Sequence, residues 1–230
     1  KLNMILGGGM EAPVTPYALL CCNTYGTLST RNQDPAGAYR PFDQNRSGFV
    51  IGEGAGIVVM ESIQRAKNRN ANILGLISGY GTTCDGVNRI NCASDGKELA
   101  RAINLALADA QVAPEEIGYI SLDGLAVELW DDSEIKALEL VFGDNLKKIP
   151  VSCPKSMFGN LLGASGALDM IIALLAMEHS LVPPILNLEK PARNSLNYVA
   201  KVSREYKVNK SLIISRGRGG INSVLVVEKA

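Results

Sequence analysis

The chain has 230 residues, 47% of them apolar, 20% charged and only 5% aromatic, with 23 basic residues balanced by 23 acidic ones. That profile belongs to a soluble globular chain and excludes disorder, collagen and coiled coil; a chain of this size buries a core without disulfide or metal staples. A formal charge of zero leaves no global basic field, which disfavours electrostatic nucleic-acid binding unless one face is locally charged.

In chain order, residues 2–6 read as a strand inside an apolar run, and a helix follows Pro16 with Cys21 and Cys22 as small buried hydrophobes. Lys1 is no natural start, so the reading expects a preceding portion that is cleaved, lost or carried in another chain. Residues 56–60 and 73–79 are β-rich. From 97 to 110, Leu99, Ile103, Ala106, Leu107 and Ala110 make an apolar stripe opposite Glu98, Arg101, Asn104 and Asp109, which is a helix. A strand is expected at 117–122. The helix at 131–142 opens on Asp131, Asp132 and Glu134, suited to the positive end of its dipole, and turns Ile135, Leu138 and Val141 inward. Residues 161–177 form the longest apolar stretch. Gly163, Gly166 and Asp169 interrupt it, and it falls short of the roughly 20 residues a bilayer needs. Being apolar on nearly every side, it reads as a helix between layers rather than a membrane span. Strands at 212–215 and 223–227 close the chain. The alternation argues for α/β with a mostly parallel sheet covered on both faces, in one domain or the larger part of one.

Five cysteines without CxxC spacing, and no secretory leader, fit reduced thiols in the cytoplasm. The single histidine, His179, ends the apolar helix and suits the negative end of its dipole, a structural role. Lys201, Arg204, Lys207 and Lys210 make a basic face that is either simply solvated or a docking site for an acidic partner.

Four segments stand out from this scaffold. The first joins Arg40-Pro41-Phe42-Asp43 to Gly48-Phe49-Val50-Ile51-Gly52-Glu53-Gly54-Ala55-Gly56; with no GKS or GKT and a strand following, its glycines suit close backbone approach better than phosphate binding. The second is the strand end Ser121-Leu122-Asp123-Gly124-Leu125. The third is Val151-Ser152-Cys153-Pro154-Lys155-Ser156-Met157-Phe158-Gly159-Asn160, running into the apolar helix, with Cys153 read as packing. The fourth is the turn Arg216-Gly217-Arg218-Gly219-Gly220 before Asn222.

In this order and spacing, these segments resemble the C-terminal half of a β-ketoacyl-acyl-carrier-protein synthase over essentially the whole chain. The resemblance implies a thiolase-like fold of layered α-β-α-β-α architecture, with residues 1–230 supplying mainly the C-terminal half. It also implies that the nucleophilic cysteine lies in the half not seen here, and that two histidines of this half serve malonyl decarboxylation. Those two positions read Asp123 and Asn160. In the family the imidazoles donate hydrogen bonds to a developing enolate; a carboxylate repels it, and an amide exchanges no proton near neutrality. Losing one such donor typically costs about 10²–10³ in rate. Lys155 and Asp169 match the family's lysine and acidic residue beside the site, the acid shortened from Glu, and are expected to hold loops. No catalytic set is intact.

The Arg-Gly-Arg turn replaces the family's phenylalanine gate and, with Asp123-Gly124, is similar to the chain length factors of type II polyketide synthases. That likeness implies a non-catalytic subunit that forms a heterodimer with a ketosynthase alpha subunit and shapes its elongation tunnel. It implies no directly bound cofactor or metal, the phosphopantetheine arm of an acyl carrier protein reaching the pair through the ketosynthase, and no nucleic-acid or membrane partner. Arg216 or Arg218 is expected to pair with Asp123 across the closed site. Two alternatives stand beside it: a competent synthase condensing malonyl-carrier-protein with an acyl chain, and a thiolase-fold protein that only holds an acyl carrier or acyl chain.

Overall fold

The structure, a computed structural model, describes residues 3–230; Leu2, the first residue of the expected opening strand, lies outside them. In chain order the elements are β1 (Met4–Glu11), α1 (Pro16–Thr24), β2 (Gly54–Glu61), α2 (Ile63–Asn68), β3 (Leu76–Cys84), α3 (Lys97–Ala110), β4 (Tyr119–Ser121), α4 (Glu128–Phe142), β5 (Pro150–Ser152), α5 (Lys155–Phe158), α6 (Ser165–His179), β6 (Leu181–Val182), β7 (Asn197–Tyr198), β8 (Arg204–Glu205), β9 (Lys210–Gly217) and β10 (Ile221–Glu228). Thr15 caps α1 by accepting from the Ala18 N–H, with Pro16 in the first turn, where its missing N–H costs nothing.

The main sheet has six strands in the order β3-β10-β9-β4-β5-β7. It is more mixed than the sequence suggests. The pairs β9/β4, β4/β5 and β5/β7 run parallel, whereas β3/β10 and β10/β9 run antiparallel. The reason is local: only three residues separate β9 from β10, with Gly219 and Gly220 at positive φ, and so short a link permits only a hairpin.

Alternation along β4 sorts the two faces. Ile120 joins the core formed by Leu99, Ile103 and Leu107 of α3 and Ile135 and Leu138 of α4, while Tyr119 points the other way, into Met170, Ala173 and Met177 of α6. β1 and β2 pair antiparallel in a separate two-stranded sheet that packs on the far side of α6. The layers are therefore α3/α4, main sheet, α6, then β1/β2. Span 162–179 is long and apolar enough to pass for a membrane helix by composition, yet it is this core helix. Its burial is less complete than its composition implies: Asp169, Met170, Ala173, Ala176 and Met177 are buried, but Leu175 stays 43% exposed at one side.

Candidate functional site

The C-terminal ends of the parallel strands β4 and β5 deliver Asp123, Cys153 and Lys155 to one place, and the β9–β10 turn arrives beside them, at the edge where parallel sheets set their sites. The main-chain N–H of Arg216 donates to Asp123 Oδ1 at 3.1 Å. Lys155 Nζ donates to the Leu122 carbonyl at 3.3 Å and to Asp169 Oδ2, pinning α6 to the end of β4. Both partners are wholly buried. Burial pushes the Asp169 carboxyl up to about 6, with the Lys155 ammonium pulling the other way. Burial alone would lower Lys155, but the carboxylates of Asp169 and Asp123 outweigh it and carry the amine well above its ordinary value. Asp169 thus has a lysine partner, though its Oδ1 finds no hydrogen bond among the described residues.

Asn160 sits in the turn before α6. Its Oδ1 accepts from the Leu162 N–H at 2.9 Å and the Ser165 hydroxyl at 3.1 Å, and its backbone bridges to Val50 and Gly52. With the oxygen taken, only the amide NH₂ is left to donate. The Asn160 side chain lies beside the Tyr39 hydroxyl, and that hydroxyl donates to the Gly124 carbonyl at 2.9 Å. Tyr39 thereby links the strand end that carries Asp123 and Gly124 to the turn that carries Asn160.

Two acids of α4 that the sequence assigns to the helix dipole do other work. Because α4 begins at Glu128, Asp131 and Glu134 face inward and are buried. Glu134 accepts from the N–H groups of Asp123 and Gly124 at 2.7 and 3.0 Å. Asp131 accepts from Phe42 at 2.8 Å and Ala126 at 3.0 Å, two residues held at positive φ (63° and 59°), where a side chain is strained. Burial and the Asp123 carboxylate push Glu134 up to about 7 against the Arg216 guanidinium; burial pushes Asp131 up to about 8 against its N–H donors and Arg46. Gly124, at φ +55°, has no room for a side chain, since a Cβ would stand 2.6 Å from Cys153 Sγ.

The expected arginine–Asp123 ion pair is not formed. Arg216 touches Asp123 through its backbone only. Its guanidinium turns away and donates to Asn222 Oδ1, the Trp130 carbonyl and the Ser133 hydroxyl at 2.9–3.1 Å, lies 3.9 Å from Asp85, and stacks 4.9 Å above the Trp130 ring. Arg218 reaches the opposite way, onto α1, with its guanidinium carbon 4.1 Å from the Tyr25 ring centroid and one nitrogen 3.5 Å from Cys22 Sγ. With the backbone amide on the carboxylate, the Arg216 guanidinium takes buried acceptors instead, while Arg218 stays exposed against the Tyr25 ring.

Gly52, Gly54 and Gly56 behave as close-approach positions: a Cβ would meet the Phe158 carbonyl, Leu161 and Leu168 at 2.5, 2.6 and 2.9 Å. Cys153 is buried, and burial pushes its thiol well above its ordinary value. Cys22 and Cys92 are buried and Cys84 exposed, all unpaired. His179 lies exposed at the end of α6 beside Glu178. Of the basic face, Lys210 is bound to Glu116 and Glu228 and Arg204 to Asn197 and Tyr198, leaving Lys201 and Lys207 in solvent. Among the described residues no group of three or more His, Cys, Asp or Glu side chains is placed to hold a metal ion.

Sequence signals exist for Asp123, Asn160, Lys155 and Asp169, each within a segment of the motif. None marks Tyr39, Asp131 or Glu134 as part of the site, because each acts through a main-chain group of another element.

Residues 1–66 match the model of the β-ketoacyl synthase N-terminal domain and 74–189 that of the C-terminal domain. A 3-oxoacyl-[acyl-carrier-protein] synthase 2 of Coxiella burnetii is 38% identical over 99% of this chain and 55% of its own length. A structure of a type II polyketide-synthase acyl-carrier protein in complex with its ketosynthase bound to the hexaketide superposes with a TM-score of 0.96 at 33% identity, over 99% of this chain and 56% of that one. The ishigamide ketosynthase/chain length factor superposes at 0.91 with 33% identity, over 100% and 54%. The chain thus spans about half the length of the relatives it matches. Its layers are those of the thiolase-like ketosynthases, and the chain belongs to the β-ketoacyl synthase family.

Proposed function

We propose that this chain is the C-terminal half of a chain length factor, the end of its N-terminal domain joined to its C-terminal domain, in a subunit that performs no decarboxylation and moulds the elongation tunnel of a partner ketosynthase in type II polyketide synthesis. The carrying observation is the fate of Asp123: its carboxylate is built into the fold as acceptor for the Arg216 N–H, and its own N–H and that of Gly124 are held by Glu134. A fixed acceptor there offers no hydrogen to an enolate and opposes its charge. The heterodimer with a ketosynthase alpha subunit, and the acyl carrier protein that brings substrate on phosphopantetheine, follow from this reading. Likeness to a ketosynthase/chain length factor structure and to a ketosynthase bound to its carrier protein supports both. Five unpaired cysteines accord with a reducing cytoplasm.

A second reading, a competent β-ketoacyl synthase, is favoured by the 38% identity to a 3-oxoacyl-[acyl-carrier-protein] synthase 2. One assay separates the two. The full-length subunit is purified with a ketosynthase whose cysteine and decarboxylating histidines have all been replaced, and CO₂ release from malonyl-carrier-protein is followed. The proposal expects no release above the protein-free background. Release that disappears on Asn160→Ala would establish the second reading.

A further inference from the structure

We infer that Tyr39 is a plug: its phenol fills the space between Asp123 and Asn160 and closes the reaction chamber from within this chain. Tyr39 is 3% exposed, and Asp123 and Asn160 are 5% and 6% exposed, although the chain spans about half the length of its relatives. The cover over these positions is therefore this chain's own. The phenol donates to the Gly124 carbonyl, the same oxygen that Cys153 Sγ approaches at 3.8 Å, and its ring packs with Phe49 and Ala126. Gly124 leaves no slack, as a Cβ there would stand 3.0 Å from Phe42 and closer still to Cys153. The cavities of about 340 and 810 Å³ lie against α3 and between β2, α2 and α6, and neither is lined by Tyr39, Asp123, Asn160 or Lys155.

The ring is held from both directions. Asn187 Nδ2 donates to the Tyr39 carbonyl at 3.0 Å, Arg40 is bound to Gly37 and Asp43, and Phe42 is fixed by Asp131. A thioester carbonyl that approached both positions would have to displace the phenol. That would break its bond to the Gly124 carbonyl and leave this buried acceptor only the weak, long thiol donor of Cys153, which is costly. The inference stands on this packing and holds whichever partner or product the subunit serves.

Cys153 makes the plug measurable. In the full-length subunit, thiols are modified under native conditions with methyl methanethiosulfonate and mapped by peptide mass spectrometry. Exposed Cys84 sets the rate of an open thiol. Buried Cys92, packed against Ser133 and the Leu129 carbonyl on another side of α4, reports general loosening. Tyr39→Ala should speed modification of Cys153 by about ten-fold or more with Cys92 unchanged, because local opening alone is altered. Tyr39→Phe keeps the volume and should keep Cys153 protected. Three results would overturn the plug: no acceleration in Tyr39→Ala, acceleration shared equally by Cys92, or protection lost in Tyr39→Phe as fully as in Tyr39→Ala.

Discussion

Among the described residues, Lys155 is a fully buried cation with Asp169 as its one carboxylate within salt-bridge distance, and Asp169 has one oxygen bound to Lys155 and the other without a hydrogen bond. Removing one member of such a pair strands the other charge without water. Lys155→Met should therefore lower stability by about 3–5 kcal/mol, whereas Lys155→Met with Asp169→Leu should recover most of the loss, because two apolar groups of similar volume need no partner. Urea unfolding of the two variants beside the parent decides it, and a double variant no better than the single would refute the argument. Such a pair is a tether between α6 and the end of β4. A tether of that kind is accounted for by packing alone, without turnover.

The β9–β10 turn is the element whose behaviour departs furthest from its sequence. One of its arginines is expected from sequence to pair with Asp123, yet the Arg216 side chain is buried against Asp85, Asn222, Ser133 and Trp130, and Arg218 stacks on Tyr25, just past the end of α1. The turn is tied on two sides. Arg216→Ala should raise amide hydrogen exchange across 216–222 by about ten-fold or more, since opening would no longer break a buried charged network, while exchange in α3 stays as it was. Unchanged exchange at the turn would show that its glycine geometry alone sets its position. The same element shows where sequence stops being legible. The helix Lys97–Ala110 is written in its own residues as an apolar stripe, so its bounds agree with the structure. The start of α4 is not, because Glu128, Leu129 and Trp130 carry no cap signal and the acids after them resemble a first turn. Asp123, Asn160, Lys155 and Asp169 are legible as members of motifs. The destination of the Arg216 side chain is not, since Asp85 follows β3, Trp130 lies in α4 and Asn222 in β10, and they meet only in the folded chain.

At the scale of the whole molecule, the site is a store of carboxyl groups that the fold holds at elevated proton affinity. Burial raises Asp131 to about 8, Glu134 to about 7 and Asp169 to about 6, whereas in the unfolded chain each titrates near the ordinary carboxylate value. Between those limits the folded state binds more protons than the unfolded one, so stability falls as pH rises. The contribution is complete below the unfolded values and is lost as pH climbs through about 6, 7 and 8 in turn. Asp43, Asp95 and Glu116 act in the opposite sense: backbone N–H donors, and Lys210 in the case of Glu116, hold them below their ordinary values, so their contribution is lost only when the solution becomes more acidic than that range. The two trends leave a stability maximum at mildly acidic pH and a decline from pH 5 to pH 8. Urea midpoints measured at pH 5, 6, 7 and 8 at constant ionic strength should fall monotonically. A flat or rising series would mean that Asp131 and Glu134 are ionised at no cost in the folded protein, and that their four backbone N–H donors outweigh burial.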